Sequence, residues 1–255
     1  MIQPGTMKGI SPYIKKLFGL SLRRSSNTSD LDEVSKLIAA IRGAKLTYCG
    51  PPKLENIVEA HRIVSEDRVP GDLLEAGVAL GGSAIIMAKL KKPGTKLWLY
   101  DVYGLIPPPG SNDGDDSHRR FAEIASGSSP GLGGEVYYGY RDNLYQTVRD
   151  NLKKFGINPD DGSIEMVKGL FQDTLFPSSP IALAHIDCDW FDSVKTCLHR
   201  IMPYLSPGGI IVFDDYSSYS GCKEAVDLWL NEHPEMSVIF HQRSLGVRKA
   251  QAARA

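Results

Sequence analysis

The chain has 255 residues, 42% of them hydrophobic, with 29 basic and 30 acidic side chains and a net charge of −1. That length and apolar share suit a single α/β domain with added N-terminal elements, and near-neutrality excludes a global attraction to nucleic acid or to a membrane surface. Four scattered cysteines, Cys49, Cys188, Cys197 and Cys222, show no metal-ligand spacing, and no apolar run reaches the roughly 20 residues of a membrane span.

Residues 1–30 read as a loose arm rich in Pro, Gly and Ser, with a short helix over 12–20. The arm lacks the uninterrupted apolar region and small-residue cleavage site of a signal peptide. Free cysteines and no leader predict a soluble cytoplasmic protein. "TSDLDEVSKLIAAIRGA" predicts a helix capped by Ser29 or Asp30, with Leu31, Val34, Leu37, Ile38 and Ile41 in one stripe. Residues 1–45 are expected to form an N-terminal arm and helix, and 46–255 the main domain. The helical N-terminal region is expected to pair subunits into a homo-oligomer. After Pro51 and Pro52 a second helix begins, with Leu54, Ile57, Val58 and Ile63 on one side.

The pattern then alternates. A strand over Asp72 to Ala76 leads through a Gly-rich turn into a helix over about 82–91. "TKLWLYDVYG" is a strand ending in Asp101. A long loop over 104–134, dense in Pro, Gly, Ser and Asp, is of the kind that carries function, here as a lid. A helix over about 141–155 follows, then a strand in "GSIEMVKGLFQDTL" and another in "IALAHIDCD". "FDSVKTCLHRIMPYL" is a helix, "SPGGIIVFDDY" a turn and strand, "GCKEAVDLWLNEHP" a helix, and "MSVIFHQRSLGVRKA" supplies terminal strands. Continuous apolar strands alternating with helices predict an α/β fold with a parallel sheet covered on both faces.

The turn "LLEAGVALGGSA" has the pattern E-x-G-x-x-x-G-G. It is neither the dinucleotide fingerprint nor a P-loop. Small residues there let a ligand approach the backbone. Glu75 would repel a phosphate but suits a cationic amine, such as the methionine part of S-adenosylmethionine. Asp101, ending the next strand, is placed to bond a ribose hydroxyl.

"IALAHIDCDWFDS" runs an apolar strand into Asp187, Asp189 and Asp192. Asp214 and Asp215 end the next strand, 27 residues beyond Asp187. One helix and one turn fit in that interval, so the two strands are parallel and neighbouring. Their acids converge, and close carboxylates repel unless a cation lies among them. Oxygen-only ligands favour magnesium or another hard divalent ion. His185 shares the parity of Asp187 but lies deeper. Asp189 stands between second base and loop residue, and Asp189 or Asp192 caps the helix beginning near Phe191.

Taken in order, "LTYCGPPKLENI", "GDLLEAGVALGGSA", "YDVYGLIPPP", "VKGLFQDTLF", "HIDCDWFDSV" and "LSPGGIIVFDDY" resemble the macrocin/mycinamicin-type O-methyltransferases, which methylate deoxysugars on macrolides and related natural products. The resemblance covers about residues 45–235. It implies a class I methyltransferase, Rossmann-like fold with a seven-stranded, mostly parallel sheet and a reversed terminal strand. It implies S-adenosylmethionine and magnesium (Mg2+) as cofactors. By position, Asp187, Asp214 and Asp215 match the metal-binding acids, and Asp187 also matches the proton acceptor. Glu75, Gly77, Gly81, Gly82 and Ser83 match the methionine-binding turn, and Asp101 the ribose-binding acid. Gly169, Phe171 and Asp173 fall where this fold meets the adenine. Tyr48 lies in the segment that closes over the cofactor.

The resulting expectation is a magnesium-dependent transfer of methyl from S-adenosylmethionine to a hydroxyl of a sugar or glycoside. The proton goes to Asp187, with Asp189 or His185 as substitutes for a base that is also a ligand. A metal-dependent catechol or phenol O-methyltransferase, and a non-catalytic methyltransferase-like binding module, are the competing readings.

Overall fold

The computed structural model describes residues 28–251, so the short helix expected over 12–20 lies outside the described residues. Seven strands form one sheet: β1 (Asp72–Ala76), β2 (Leu97–Asp101), β3 (Ile164–Lys168), β4 (Ile181–Ile186), β5 (Leu205–Phe213), β6 (Met236–Gln242) and β7 (Ser244–Lys249). Their order is β3-β2-β1-β4-β5-β7-β6. The first five strands run parallel, and β7 is antiparallel to both its neighbours, β5 and β6. This is the expected mostly parallel sheet with a reversed chain-terminal strand. That strand is not at the edge; it is inserted between β5 and β6.

The central strands β4 and β5 are buried almost throughout because helices cover both faces. Leu73, Leu97, Leu99, Leu183, Ile210 and Val212 face a layer with α1 (Thr28–Gly43), α2 (Pro51–Glu66), α3 (Gly82–Leu90) and α5 (Leu144–Lys154). The alternate residues, Leu74, Ala76, Ala184, Ile186, Ile211 and Phe213, face α7 (Phe191–Ile201) and α8 (Ser220–Glu232). Chain direction from β1 reverses across the sheet, toward β2 on one side and β4 on the other. A crevice opens beyond the carboxyl ends at such a switch point.

Three local expectations change. Helix α1 begins at Thr28, so Ser29 and Asp30 lie inside its first turn rather than ahead of it. Strand β3 stops at Lys168, and "FQDT" forms the short helix α6 (Phe171–Thr174). The 104–134 segment is not one loop, because α4 (Asp115–Ala125) lies within it. Asp115 and Asp116 in the first turn favour that helix, but the flanking Pro and Gly hide it in a composition average. The segment is tied down at three points. Trp190 Nε1 donates to the Pro107 carbonyl at 2.9 Å, the Phe191 N–H to Asp113 Oδ1 at 2.8 Å, and the Ser220 N–H to Asp116 Oδ2 at 2.8 Å. It forms an anchored wall over the crevice.

Candidate active site

The crevice is a cavity of about 500 Å³ whose floor is the strand ends of β1, β4 and β5. Gly77 closes the gap between two of them. Its φ is +91°, and a Cβ there would sit 1.7 Å from the Asp187 carbonyl oxygen. Only glycine permits that approach. Asp101 shapes the turn that follows. Its Oδ2 accepts the Val78 and Ala79 N–H groups at 2.7 and 3.1 Å, and its Oδ1 accepts the Tyr103 N–H at 2.6 Å. Burial pushes the Asp101 carboxyl up against these bonds. Asn151 braces the turn from α5, donating to the Leu80 carbonyl at 3.0 Å.

Glu75 and His185 lie side by side in the β1–β4 register, and His185 pairs with Val212 of β5. Both side chains are fully buried, with Nδ1 and Oε1 2.9 Å apart. Burial alone would lower the imidazole's pKa, but Asp214 and Glu75 outweigh it and raise it to about 10. The two carboxylates thus favour a positive imidazole beneath the floor of the metal-free site. Its Nε2 has no hydrogen-bond partner and lies 3.9 Å from Asp214 Oδ1, beyond bonding reach but within strong attraction.

Above it the carboxylates gather. One oxygen each from Asp187, Asp189 and Asp215 fall within 4.8 Å of one another, as do donor atoms of Cys49, Asp187 and Asp214. Lys53, from the first turn of α2, reaches in to Asp214 Oδ2 at 2.5 Å and Asp215 Oδ1 at 3.7 Å. Burial pushes Asp187 well up, and Asp214 and Asp215 add to it. Burial likewise raises Asp189, with Asp215 adding. Asp214 goes the other way: against its burial, His185 and Lys53 hold its carboxyl below the usual range. Asp189 also adopts a left-handed backbone, φ 60°, an uncommon conformation for a residue other than glycine.

These residues fit a divalent cation. Among the described residues, Glu75, Asp187, Asp189, Asp214 and Asp215 face only His185 and Lys53 as positive partners. Asp215 Oδ2 is buried without a hydrogen-bond partner. Unmatched buried carboxylates must either take up protons or meet a cation.

Of the residues singled out in the sequence, Tyr48, Gly77, Gly82, Ser83, Asp101, Phe171, Asp187, Asp189, Asp214 and Asp215 line the cavity. Glu75 does not: it is fully buried beneath the floor, with Oε1 against His185 Nδ1 and Oε2 without a hydrogen-bond partner among the described residues. Gly81 faces Val148 of α5, and Gly169 and Asp173 lie off the wall, Asp173 being exposed on α6. Neither Asp189 nor Asp192 caps α7: Trp190 holds the cap position without a side-chain bond, and Asp113 accepts the Phe191 N–H instead. Asp192 is exposed in the first turn of α7, on the cavity wall.

Sequence reasoning passed over several lining residues. Lys53 precedes Ile57 by one helical turn, and a lysine beside a buried stripe was its only signal. Cys49 was read as one of four scattered thiols, yet its Sγ lies 3.7 Å from both Asp187 Oδ2 and Asp214 Oδ1. The donor set is therefore not oxygen alone. Tyr137, Tyr138, Tyr219 and Arg120 form an aromatic wall opposite, with the guanidinium 5.6 Å from the Tyr137 ring centroid. Tyr48 meets Tyr138 edge-on at 5.7 Å.

A family model described as macrocin-O-methyltransferase (TylF) matches residues 39–241. The chain is 32% identical over 186 residues to the 8-demethyl-8-(2,3-dimethoxy-alpha-L-rhamnosyl)-tetracenomycin-C 4'-O-methyltransferase of Streptomyces olivaceus, covering 71% of this chain and 66% of that one. It is 31% identical over 188 residues to the demethyldecarbamoylnovobiocin O-methyltransferase of Streptomyces niveus, again covering 71% and 66%. The chain thus spans 66% of the length of each of these relatives. Among solved structures, the O-methyltransferase NovP superposes with a TM-score of 0.66 at 26% identity, covering 82% of this chain and 83% of that one.

Proposed function

The chain belongs to the macrocin-O-methyltransferase family, and from that premise we propose that it moves a methyl group from S-adenosylmethionine to a hydroxyl of a sugar on a glycosylated natural product, with magnesium as the metal. The single observation that carries this reading is the meeting of the β4 and β5 carboxylates with the glycine turn of β1 around one cavity. One relative is named for methyl transfer to a rhamnosyl-tetracenomycin.

Asp187, Asp214 and Asp215 would hold the cation, and Gly77, Gly82, Ser83, Tyr48 and Phe171 would enclose S-adenosylmethionine. When bound, the cation lowers the pKa of an acceptor hydroxyl and the sulfonium supplies the methyl group. Asp101 keeps the turn open toward the cofactor through its three backbone bonds, and Oδ1, which accepts only one of them, retains a lone pair for a ribose hydroxyl. Asp189 takes the acceptor proton, because a carboxylate that is also a cation ligand is a weak base. His185 holds Asp214 ionised from below and does not line the cavity. Tyr137, Tyr219 and Arg120 form the acceptor side. Holding oxygen, methyl carbon and sulfur close and in line is the main contribution of such a site, and the anchored wall excludes water.

The test is incubation with methyl-labelled S-adenosylmethionine and magnesium, offering a glycosylated macrolide or aromatic polyketide in one arm and a catechol in the other. Mass spectrometry should show one added methyl on the glycoside and none after chelation. Methylation of the catechol alone would replace the acceptor class. Full turnover by Asp187→Ala in excess chelator would overturn the cation reading. Calorimetry showing no binding of S-adenosylmethionine would overturn the enzyme reading.

A further inference from the structure

Cys49 stands among the carboxylates, not behind them. Its Sγ is 3.7 Å from Asp187 Oδ2 and 3.7 Å from Asp214 Oδ1, and the thiol is free. The Cys49 N–H bonds Thr47 Oγ1 at 3.0 Å, which fixes the turn that presents the sulfur. Lys53 occupies the other oxygen of Asp214, Oδ2, leaving Oδ1 toward the thiol. On the cavity wall one further buried acceptor lacks a partner among the described residues. It is Asp215 Oδ2, on a residue 6% exposed that lines the cavity. Polar atoms left unpaired in a buried site are ordinarily met by an ion or another ligand.

Around a four-coordinate zinc, a sulfur at about 2.3 Å and an oxygen at about 2.1 Å lie about 3.6 Å apart. Adjacent donors of an octahedral magnesium lie only about 3 Å apart. The 3.7 Å separations on both sides of Cys49 are S–H···O contacts of the thiol, and they already hold sulfur and oxygen at about the span the first arrangement needs. The oxygen-only group of Asp187, Asp189 and Asp215 lies next to it and shares Asp187. A hard ion can keep to the oxygens of Asp187, Asp214 and Asp215, whereas a thiophilic ion gains a sulfur.

We propose that Cys49 Sγ, with one oxygen each of Asp187 and Asp214, is a ligand set for borderline and soft divalent ions such as zinc, cobalt(II) and cadmium. This rests on the cation reading given above and adds a sulfur donor to it. On binding, a metal–sulfur bond replaces the S–H bond and the proton leaves to solvent. Such ions then compete with magnesium through the shared Asp187.

The test is a titration of the metal-free full chain with cobalt(II), followed by absorbance, for the wild type and for Cys49→Ser. The wild type should develop a near-ultraviolet sulfur-to-cobalt charge-transfer band together with strong visible bands of tetrahedral type. Cys49→Ser should lose the charge-transfer band and bind cobalt(II) at least about tenfold more weakly. Cobalt(II) bound by the wild type without that band overturns the sulfur ligand and leaves the carboxylate cation site standing. An undiminished band in Cys49→Ser assigns the sulfur elsewhere and also overturns it. No cobalt(II) bound by the wild type overturns both. If Cys49→Ser does not fold, Cys49→Ala is read in its place and must likewise lose the band, whereas Cys188→Ser, also on the cavity wall, must keep it.

Discussion

Lys53 Nζ lies 2.5 Å from Asp214 Oδ2 and 3.7 Å from Asp215 Oδ1, so a lysine from the start of α2 stands between the two carboxylates that end β5. All three side chains are largely withdrawn from solvent. Removing one partner of such a pair leaves uncompensated buried charge, at a cost of about 3–5 kcal/mol. Lys53→Met should therefore lower stability by about 3 kcal/mol in chelator. Saturating magnesium should restore more stability to the variant than it adds to the parent, because the ion replaces the missing positive charge. Urea denaturation with and without magnesium measures both effects. An equal loss in both conditions would separate Lys53 from the cation site.

Asp187 and Asp189 should part company on substitution. Asp187 belongs to both close donor groups, and Asp189 to one. Asp187→Asn should weaken cobalt(II) binding and abolish turnover together. Asp189→Asn should leave cobalt(II) affinity within a few-fold and reduce kcat by about 10²–10⁴, the usual range for a lost general base. Metal titration and initial rates on the same preparations compare the two. Undiminished kcat in Asp189→Asn would return the base role to Asp187.

Asp113 joins the wall segment to α7 through the Phe191 N–H and to its own turn through the Gly110 N–H, at 2.8 and 2.9 Å. It is 7% exposed. Asp113→Ala should cost about 1–2 kcal/mol, the range for a lost helix cap. Asp113→Asn, which keeps a carbonyl oxygen, should recover most of it. Thermal unfolding measures the stability. The KM for the acceptor should rise in the alanine variant, since Pro107 and Pro108 on the same segment line the cavity.

His61, partly buried on α2, has its pKa lowered to about 4 by burial and by Lys92. Unfolded, it titrates near about 6.5. Between those values the unfolded chain binds the extra proton, so this contribution to stability is complete above about 6.5 and is lost as pH falls toward about 4. His61→Gln should flatten the stability profile across that window. Discounted for partial exposure, the difference between parent and variant should reach about 2 kcal/mol. Denaturation midpoints at pH 7 and pH 4.5 compare them, and parallel profiles would exclude His61 as the source.

The alternation of apolar strands with amphipathic helices was enough to read a two-sided parallel sheet, because burial on both faces leaves its mark on the central strands, β4 being buried at every residue. The pairing of Asp187 with Asp214 and Asp215 was equally legible. Twenty-seven residues between two strand ends hold one crossover and little else, so chain geometry brings those acids to one edge. Asp101 at the end of β2 and the glycines after β1 followed from the same rule. What lies opposite that edge could not be read this way. Lys53, Cys49, Arg120 and Tyr137 come from segments whose sequence distance to β4 says nothing about spatial distance. Glu75 shows the limit from the other side. Its place at a strand end looked like a cofactor contact, but the β1–β4 register sets it against His185, and a buried carboxylate settles on the nearest cation. Local sequence carries periodicity and the reach of short connections. Which distant side chain meets a buried charge is decided by packing, since the low polarity of the interior makes each such charge find a partner from whatever element the fold brings near.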